Sequence, residues 1–298
     1  MEIIKPTPLA KNDTIGFLTV SGPVDDFERI EKAKKYFEQK GYNVVISDTT
    51  YTKKNFLAAD DNARLAQLHE FFEDSKINAI FCTRGGYGAI RLLKDLDYNL
   101  IRNNPKIFCG FSDVTALLTS IYTNAGLQTF HSPMPYPDFG VDDISELTQN
   151  SFFEIIGGKE FSVALKGKIY NSGNSNGVLW GGNLATLASM VGTYFIPPEN
   201  FILFLEDVNE PAYKIDRYLT QLMYDKNFVK NLSGVVLGEF TNLDEAVFFD
   251  DIFYELGAKF QIPIMSGLHI GHVKNKLTVP LGIKVFFDTE QRVIKQIN

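Results

Sequence analysis

Ser112 stands where an apolar run, Ile107-Phe108-Cys109-Gly110-Phe111, gives way to a helical pattern with Val114, Leu117, Leu118 and Ile121 on one face. A serine at a strand-to-helix turn presents its hydroxyl at the carboxyl edge of a sheet. The unpaired N–H groups of the next helix are then available to a developing oxyanion. This is the geometry of a nucleophile elbow, although Val114 occupies the place of the last glycine in the usual Gly-x-Ser-x-Gly. The competing reading is a plain helix N-cap, the ordinary use of serine before such a run.

A nucleophilic serine needs a base, usually histidine, and an acid that orients it. The chain has four histidines. His69 falls inside a helical pattern and reads as a helix-surface residue. His131 closes a short strand in Thr129-Phe130-His131-Ser132-Pro133 and could face a site at that sheet edge. His269 and His272 lie in Gly267-Leu268-His269-Ile270-Gly271-His272, where flanking glycines let the backbone approach another segment closely. Two solvated loop histidines are the alternative. The candidate acid is Glu206 in Leu203-Phe204-Leu205-Glu206-Asp207, placed by an apolar strand at a sheet edge, with Asp207 alternating to the other side. At least one of Asp207 and Glu210 reads as a plain surface acid.

Arg84-Gly85-Gly86-Tyr87-Gly88 lacks both the Gly-x-Gly-x-x-Gly spacing and a Walker lysine, so a phosphate loop is a poor reading. An oxyanion loop beside Ser112 fits it better, with Arg84 a cation for a substrate carboxylate. The pair His269 and His272 has no zincin glutamate and no third ligand nearby, so neither a metal nor another cofactor is expected.

The elements that must position these groups alternate in the first half. Strands are expected over 14–20, 42–46, 79–82, 107–111 and 129–131. Helices are expected from Asp25 or Asp26, with Phe27, Ile30, Ala33 and Phe37 on the apolar stripe, and over 60–74 with Leu65, Leu68 and Phe72. Such alternation implies βαβ units and a largely parallel, Rossmann-like α/β sheet, with sites at the carboxyl ends of its strands. Pro133, Pro135 and Pro137, followed by acidic residues, break the pattern and read as a linker. The expected division is 1–136 as an α/β domain, 137–164 as linker, and 165–298 as a smaller mixed α+β domain. In the latter, strands are expected over 161–170, 201–207, 234–240 and 263–265, helices over 183–191 and 213–224, and short antiparallel strands at 276–279, 283–287 and 292–297.

Over 298 residues, 45% hydrophobic and 22% charged, the composition is that of a globular protein. A net charge of −7 argues against nucleic acid or an anionic membrane as partner. Cys82 and Cys109 sit in apolar runs and read as buried free thiols. With no signal-like start and no long apolar stretch, a cytoplasmic location is expected.

Taken in order, these segments resemble the LD-carboxypeptidase family of serine peptidases, which includes murein tetrapeptide carboxypeptidases and microcin C immunity peptidases. The stretches that carry it are Asp60-Asp61-Asn62-Ala63-Arg64-Leu65, Thr83-Arg84-Gly85-Gly86-Tyr87-Gly88-Ala89, Gly110-Phe111-Ser112-Asp113-Val114-Thr115-Ala116-Leu117 and Phe130-His131-Ser132-Pro133. In the second half they are Leu179-Trp180-Gly181-Gly182-Asn183-Leu184, Leu205-Glu206-Asp207 with Tyr213-Lys214-Ile215-Asp216-Arg217, and Gly271-His272. Ser132 departs from the glycine that commonly follows His131 in the family.

The resemblance implies a triad of Ser112, His272 and Glu206, and an oxyanion hole from the N–H groups of Asp113 and Gly86. It implies release of a terminal D-alanine from cytoplasmic murein tetrapeptide in peptidoglycan recycling, by a homodimer. The partner is then a small peptide with a free D-amino-acid carboxylate, for which Arg84 and Tyr87 are the binding candidates. Arg217, on a helix, reads as part of a structural ion pair. Within the family the alternative is a microcin-C-type immunity peptidase cleaving aminoacyl or peptidyl nucleotide analogues. It needs an aromatic platform for adenine, and the only tryptophan, Trp180, lies in a run that reads as packed core. A non-catalytic two-domain binding protein would need no serine, histidine and acid set. An unrelated α/β-hydrolase shares the order of the three, but the elbow glycine is missing.

Overall fold

A computed structural model describes residues 2–193, 200–244 and 246–297. The chain divides into two compact units, Met1–Lys159 with Lys276–Val279, and Glu160–Asn275 with Pro280–Asn298.

The first unit runs β1 (Thr14–Leu18), α1 (Phe27–Gln39), β2 (Asn43–Ile46), α2 (Asp61–Glu73), β3 (Ile77–Cys82), α3 (Tyr98–Asn103), β4 (Ile107–Gly110), α4 (Thr115–Ala125), β5 (Thr129–His131) and α5 (Glu146–Ile156). The strands pair in parallel in the order β5-β4-β3-β1-β2. The order reverses between β1 and β3, and in open α/β sheets ligands bind outside the carboxyl ends of the strands at such a switch point. Asp26 and Asp60 accept hydrogen bonds from Glu28 N and Ala63 N and so start α1 and α2. Phe37 packs edge-on against Phe17, Phe81 and Phe139 at 4.9–5.8 Å, which fixes α1 on the sheet.

Some expected details differ. Phe27 is exposed rather than on the apolar stripe of α1, because it opens the first turn. Arg64, not Leu65, is fully buried on α2. The segment expected as a linker carries α5, and Phe139, Phe152 and Ile156 lie in the core of the first unit. The prolines end the βα alternation there without ending the domain. Cys82 and Cys109 are free and buried, and burial pushes the Cys109 thiol up to about 12.

The second unit runs β6 (Ser162–Ala164), β7 (Ile169–Asn171), β8 (Asn174–Asn183), α6 (Leu184–Ser189), β9 (Phe201–Val208), α7 (Ala212–Met223), α8 (Lys226–Asn231), β10 (Leu232–Thr241), α9 (Phe249–Phe260) and β11 (Ile264–Ser266). After β12 (Val279–Leu281), whose first residue belongs to the first unit, come β13 (Lys284–Asp288) and β14 (Val293–Gln296). The sheet order is β6-β14-β13-β8-β9-β10-β11-β7. Its centre, β8 to β11, is parallel, and its flanks are antiparallel. The run at 161–170, expected as one strand, is two short strands at opposite edges. The 276–279 segment does not join the antiparallel tail. Among the described residues no helix is long and apolar enough to cross a membrane.

Candidate active site

The nucleophile candidate is built by three loops at the carboxyl ends of β1, β3 and β4. Ser112 leaves β4 with φ +63°, a left-handed conformation that costs a non-glycine residue about 1–2 kcal/mol. The turn Ser112–Val114 is a short 3-10 helix that leads into α4. Among the described residues the Ser112 hydroxyl makes no capping hydrogen bond, so the plain N-cap reading does not describe it. Strained single residues of this kind cluster at functional sites.

Gly85 lies directly against this serine. A Cβ at Gly85 would sit 2.8 Å from Ser112 Cβ and 2.9 Å from its Oγ. Gly86 follows with φ +121°, beside Gly22, and Gly22 N donates to Gly85 O at 3.2 Å. The Asp113 carboxylate is buried and accepts from Ser21 Oγ at 2.6 Å and Ala89 N at 2.8 Å. It therefore ties the β1 loop and the end of the glycine loop to the serine turn. Behind them, the fully buried Arg64 donates to Val20 O, to Gly88 O at 3.0 Å and to Asp61 at 2.6 Å. Thr19 Oγ1 meets Thr50 Oγ1 and Thr83 Oγ1 at 2.7 Å each. Of these, the positioning roles of Arg64, Thr19 and Thr50 were not singled out from the sequence. The signal for Arg64 was its place on the apolar stripe with Leu68, three residues after Asp61.

The Gly85 contact makes a direct prediction. Gly85→Ala must push Ser112 or the loop aside, and displacements near 1 Å cost on the order of 100-fold in rate. Steady-state kinetics of Gly85→Ala should show that loss mainly in kcat.

Arg84 donates from Nη1 to Pro23 O at 2.8 Å, approaches Asp25 at 3.5 Å, and stacks over Tyr136. Tyr87 is exposed, its ring 5.6 Å from that of Phe56. His131 is fully buried beside the Phe111 ring, and His69 accepts from Asp97 N at 3.0 Å through Nε2.

In the second unit β9 delivers Glu206, fully buried, and the loop after β11 delivers His272. His272 Nδ1 lies 2.9 Å from Glu206 Oε2. Gly271, at φ +133°, permits this approach: a Cβ there would stand 3.1 Å from Glu206 Oε2 and 3.0 Å from Glu239 O. A carboxylate on Nδ1 holds the imidazole in the tautomer whose Nε2 can take a proton. His269 lies in the same loop, its Nδ1 2.9 Å from Glu239 Oε1.

Asp207 is buried rather than a surface acid. It accepts from Asn183 Nδ2 at 2.9 Å and from Ala185 N and Val208 N at 2.8 Å each, fixing the start of α6. Glu210 is ion-paired with Lys214 at 3.2 Å. Arg217 stacks over Tyr213, 5.3 Å to the centroid. Burial, followed by the charge of Glu206, pushes the Asp207 carboxyl up to about 6, against the pull of its N–H donors. Between its unfolded value of 3.8 and about 6 the folded state holds a proton that the unfolded chain has released. This group's contribution to stability therefore falls as pH rises through that window, by roughly 3 kcal/mol. The difference in unfolding free energy between the wild type and Asp207→Asn should be largest near pH 4 and shrink towards pH 7. A constant difference in denaturant titrations would contradict this.

Among the described residues no group of three or more His, Cys, Asp and Glu side chains is arranged to hold a metal ion. A serine held in strain under a glycine loop, in one unit, and an imidazole held by a buried carboxylate, in the other, are group types that nucleophilic acyl transfer uses.

The comparisons agree with that class. Residues 15–132 match the LD-carboxypeptidase N-terminal domain and residues 176–286 the LD-carboxypeptidase C-terminal domain. The chain belongs to the LD-carboxypeptidase family and is a serine-type enzyme of it. It is 34% identical to the probable murein peptide carboxypeptidase of Bacillus subtilis, over 97% of this chain and 92% of that protein. It is 31% identical to the microcin C7 self-immunity protein of Escherichia coli, over 96% and 94% of the two chains. The crystal structure of muramoyltetrapeptide carboxypeptidase from Oxalobacter formigenes superimposes with a TM-score of 0.86 at 31% identity, covering 95% of this chain and 97% of that one.

Proposed function

We propose that the protein removes the terminal D-alanine from a murein tetrapeptide in the cytoplasm, working as a homodimer in peptidoglycan recycling. Ser112 is the nucleophile, His272 the general base and acid, and Glu206 the orienting carboxylate. The observation that carries the reading is the 2.9 Å contact between His272 Nδ1 and the buried Glu206. The strained Ser112 under Gly85 supports it.

His272 Nε2 takes the proton of Ser112 as Oγ bonds to the scissile carbonyl carbon. The N–H groups of Asp113 and Gly86 stabilise the oxyanion. The C–N bond then breaks, and His272 returns the proton to the leaving D-alanine amine. Water, deprotonated by the same imidazole, attacks the acyl-serine ester, and Oγ leaves with that proton. Arg84 keeps N–H groups beyond the one bonded to Pro23 O and reads the terminal carboxylate. Tyr87 forms a wall of the same subsite.

The relation to the self-immunity protein raises a second reading, cleavage of an aminoacyl or peptidyl nucleotide analogue. It is disfavoured by Trp180, which is fully buried and packed edge-on against Phe201 and Phe228 rather than offered to a base. The test is stereochemical. Peptides differing only in a D- or L-alanine terminus should differ in kcat/KM by at least about 100-fold. Equal cleavage of both would contradict an L,D specificity.

A further inference from the structure

Lys276–Val279 is a short return of the chain into the first unit, between two stretches of the second. It is held there by bonds of its own. Lys276 N donates to Thr148 Oγ1 at 3.0 Å and Thr278 N to Ser151 Oγ at 2.9 Å, both acceptors lying on α5. Lys276 Nζ is 2.8 Å from Asp138 Oδ1, and the two side chains are only 4% and 8% exposed. Asp138 Oδ2 accepts from Met134 N at 2.8 Å, so the carboxylate is itself fixed. The Lys276 ammonium also stands 4.1 Å from the centroid of the Phe111 ring.

A buried ion pair contributes little net stability over apolar residues of the same volume, and its best-attested use is to fix register. What it fixes here is a position along the chain. Phe111 is the residue before Ser112, and Lys276 is the fourth residue after His272. Four peptide steps span at most about 14 Å. A lysine locked over Phe111 therefore keeps the imidazole within a short, bounded reach of that anchor. Between the two, Lys274 and Asn275 are exposed, and Lys276 is the first buried residue after His272.

We infer that Lys276 is a positioning residue for the acylation step: its anchorage on Asp138 and Phe111 sets the length of chain by which His272 is tethered to the unit of Ser112. The inference rests on the triad reading and deepens it. Glu206 fixes the tautomer and direction of the imidazole, and Lys276 fixes how far the segment bearing it can stray. The lysine is assigned no contact with substrate or reacting atoms. It acts through His272, so slackening the tether lowers the rate at which Ser112 gives up its proton and leaves substrate binding as it was.

The test lengthens the tether and leaves its anchor intact. Two glycines inserted between Lys274 and Asn275 add slack at exposed positions, where insertions cost little stability. On a murein tetrapeptide ending in D-alanine, kcat should fall roughly 10- to 100-fold, with KM and the thermal midpoint held. A purely structural ion pair predicts no change in kcat, because every Lys276 contact is kept. Lys276→Met combined with Asp138→Asn removes both charges together and leaves neither buried alone. This double variant should fold and lose kcat in the same way. Wild-type kcat in the insertion variant, or in the folded double variant, overturns the inference alone. No cleavage by the wild type overturns the peptidase reading and this inference with it.

Discussion

Ser112→Ala is expected to lower kcat on an L,D-peptide by a factor on the order of 10⁴ to 10⁶, because no other group can form the acyl intermediate. Its structural consequence should be small, since the Ser112 hydroxyl makes no capping bond among the described residues. Ser112→Gly separates activity from strain. Glycine adopts φ +63° without a Cβ penalty. The glycine variant should therefore be as inactive as the alanine variant and more stable than it by about 1 kcal/mol, or roughly 2–4 °C in the unfolding of the first unit. Calorimetry beside D-alanine assays reads both quantities. A glycine variant less stable than alanine would mean that the backbone at Ser112 is not under strain.

Glu206→Gln carries the second large effect. The change is isosteric and keeps Ser112 and His272, yet an amide can turn its NH2 to Nδ1 and stabilise the wrong imidazole tautomer. The expected loss in kcat is on the order of 10³ to 10⁴. Because Glu206 is fully buried, removing its charge relieves desolvation, and the melting temperature should hold or rise. Activity lost with stability kept marks a catalytic carboxylate. Parallel loss of both would mark Glu206 as structural, with His272 merely its partner.

Much of this was readable from residue order. The apolar run ending at Phe111 and the 3.6-residue spacing of Val114, Leu117, Leu118 and Ile121 specify a strand-to-helix turn, and Ser112 stands at it. Glu206 ends an apolar run that reads as a strand delivering it to a sheet edge, and that strand is the buried β9. What escaped depended on partners distant in the chain. Arg64 is buried because carbonyls of Val20 and Gly88 meet it; its spacing from Leu68 places it on the buried stripe of α2, but these acceptors lie far away in the chain. Asp207 is satisfied by Asn183 and the start of α6, so its exposure could not be judged from its neighbours. Residues 137–159 are proline- and acid-rich at their start, which obscured the core role of Phe139, Phe152 and Ile156. The bulge that carries Glu239 exists only in the register of β10 against β9, where Leu237 lies opposite Leu205 and Phe240 opposite Asp207.

The most direct measurement is mass spectrometry of a murein tetrapeptide ending in D-alanine, incubated with purified wild type and with Ser112→Ala. The predicted result is loss of one alanine residue with the wild type and none with the variant. An intact tetrapeptide in both incubations, or equal release by the two proteins, would contradict the claim that Ser112 drives an LD-carboxypeptidase reaction.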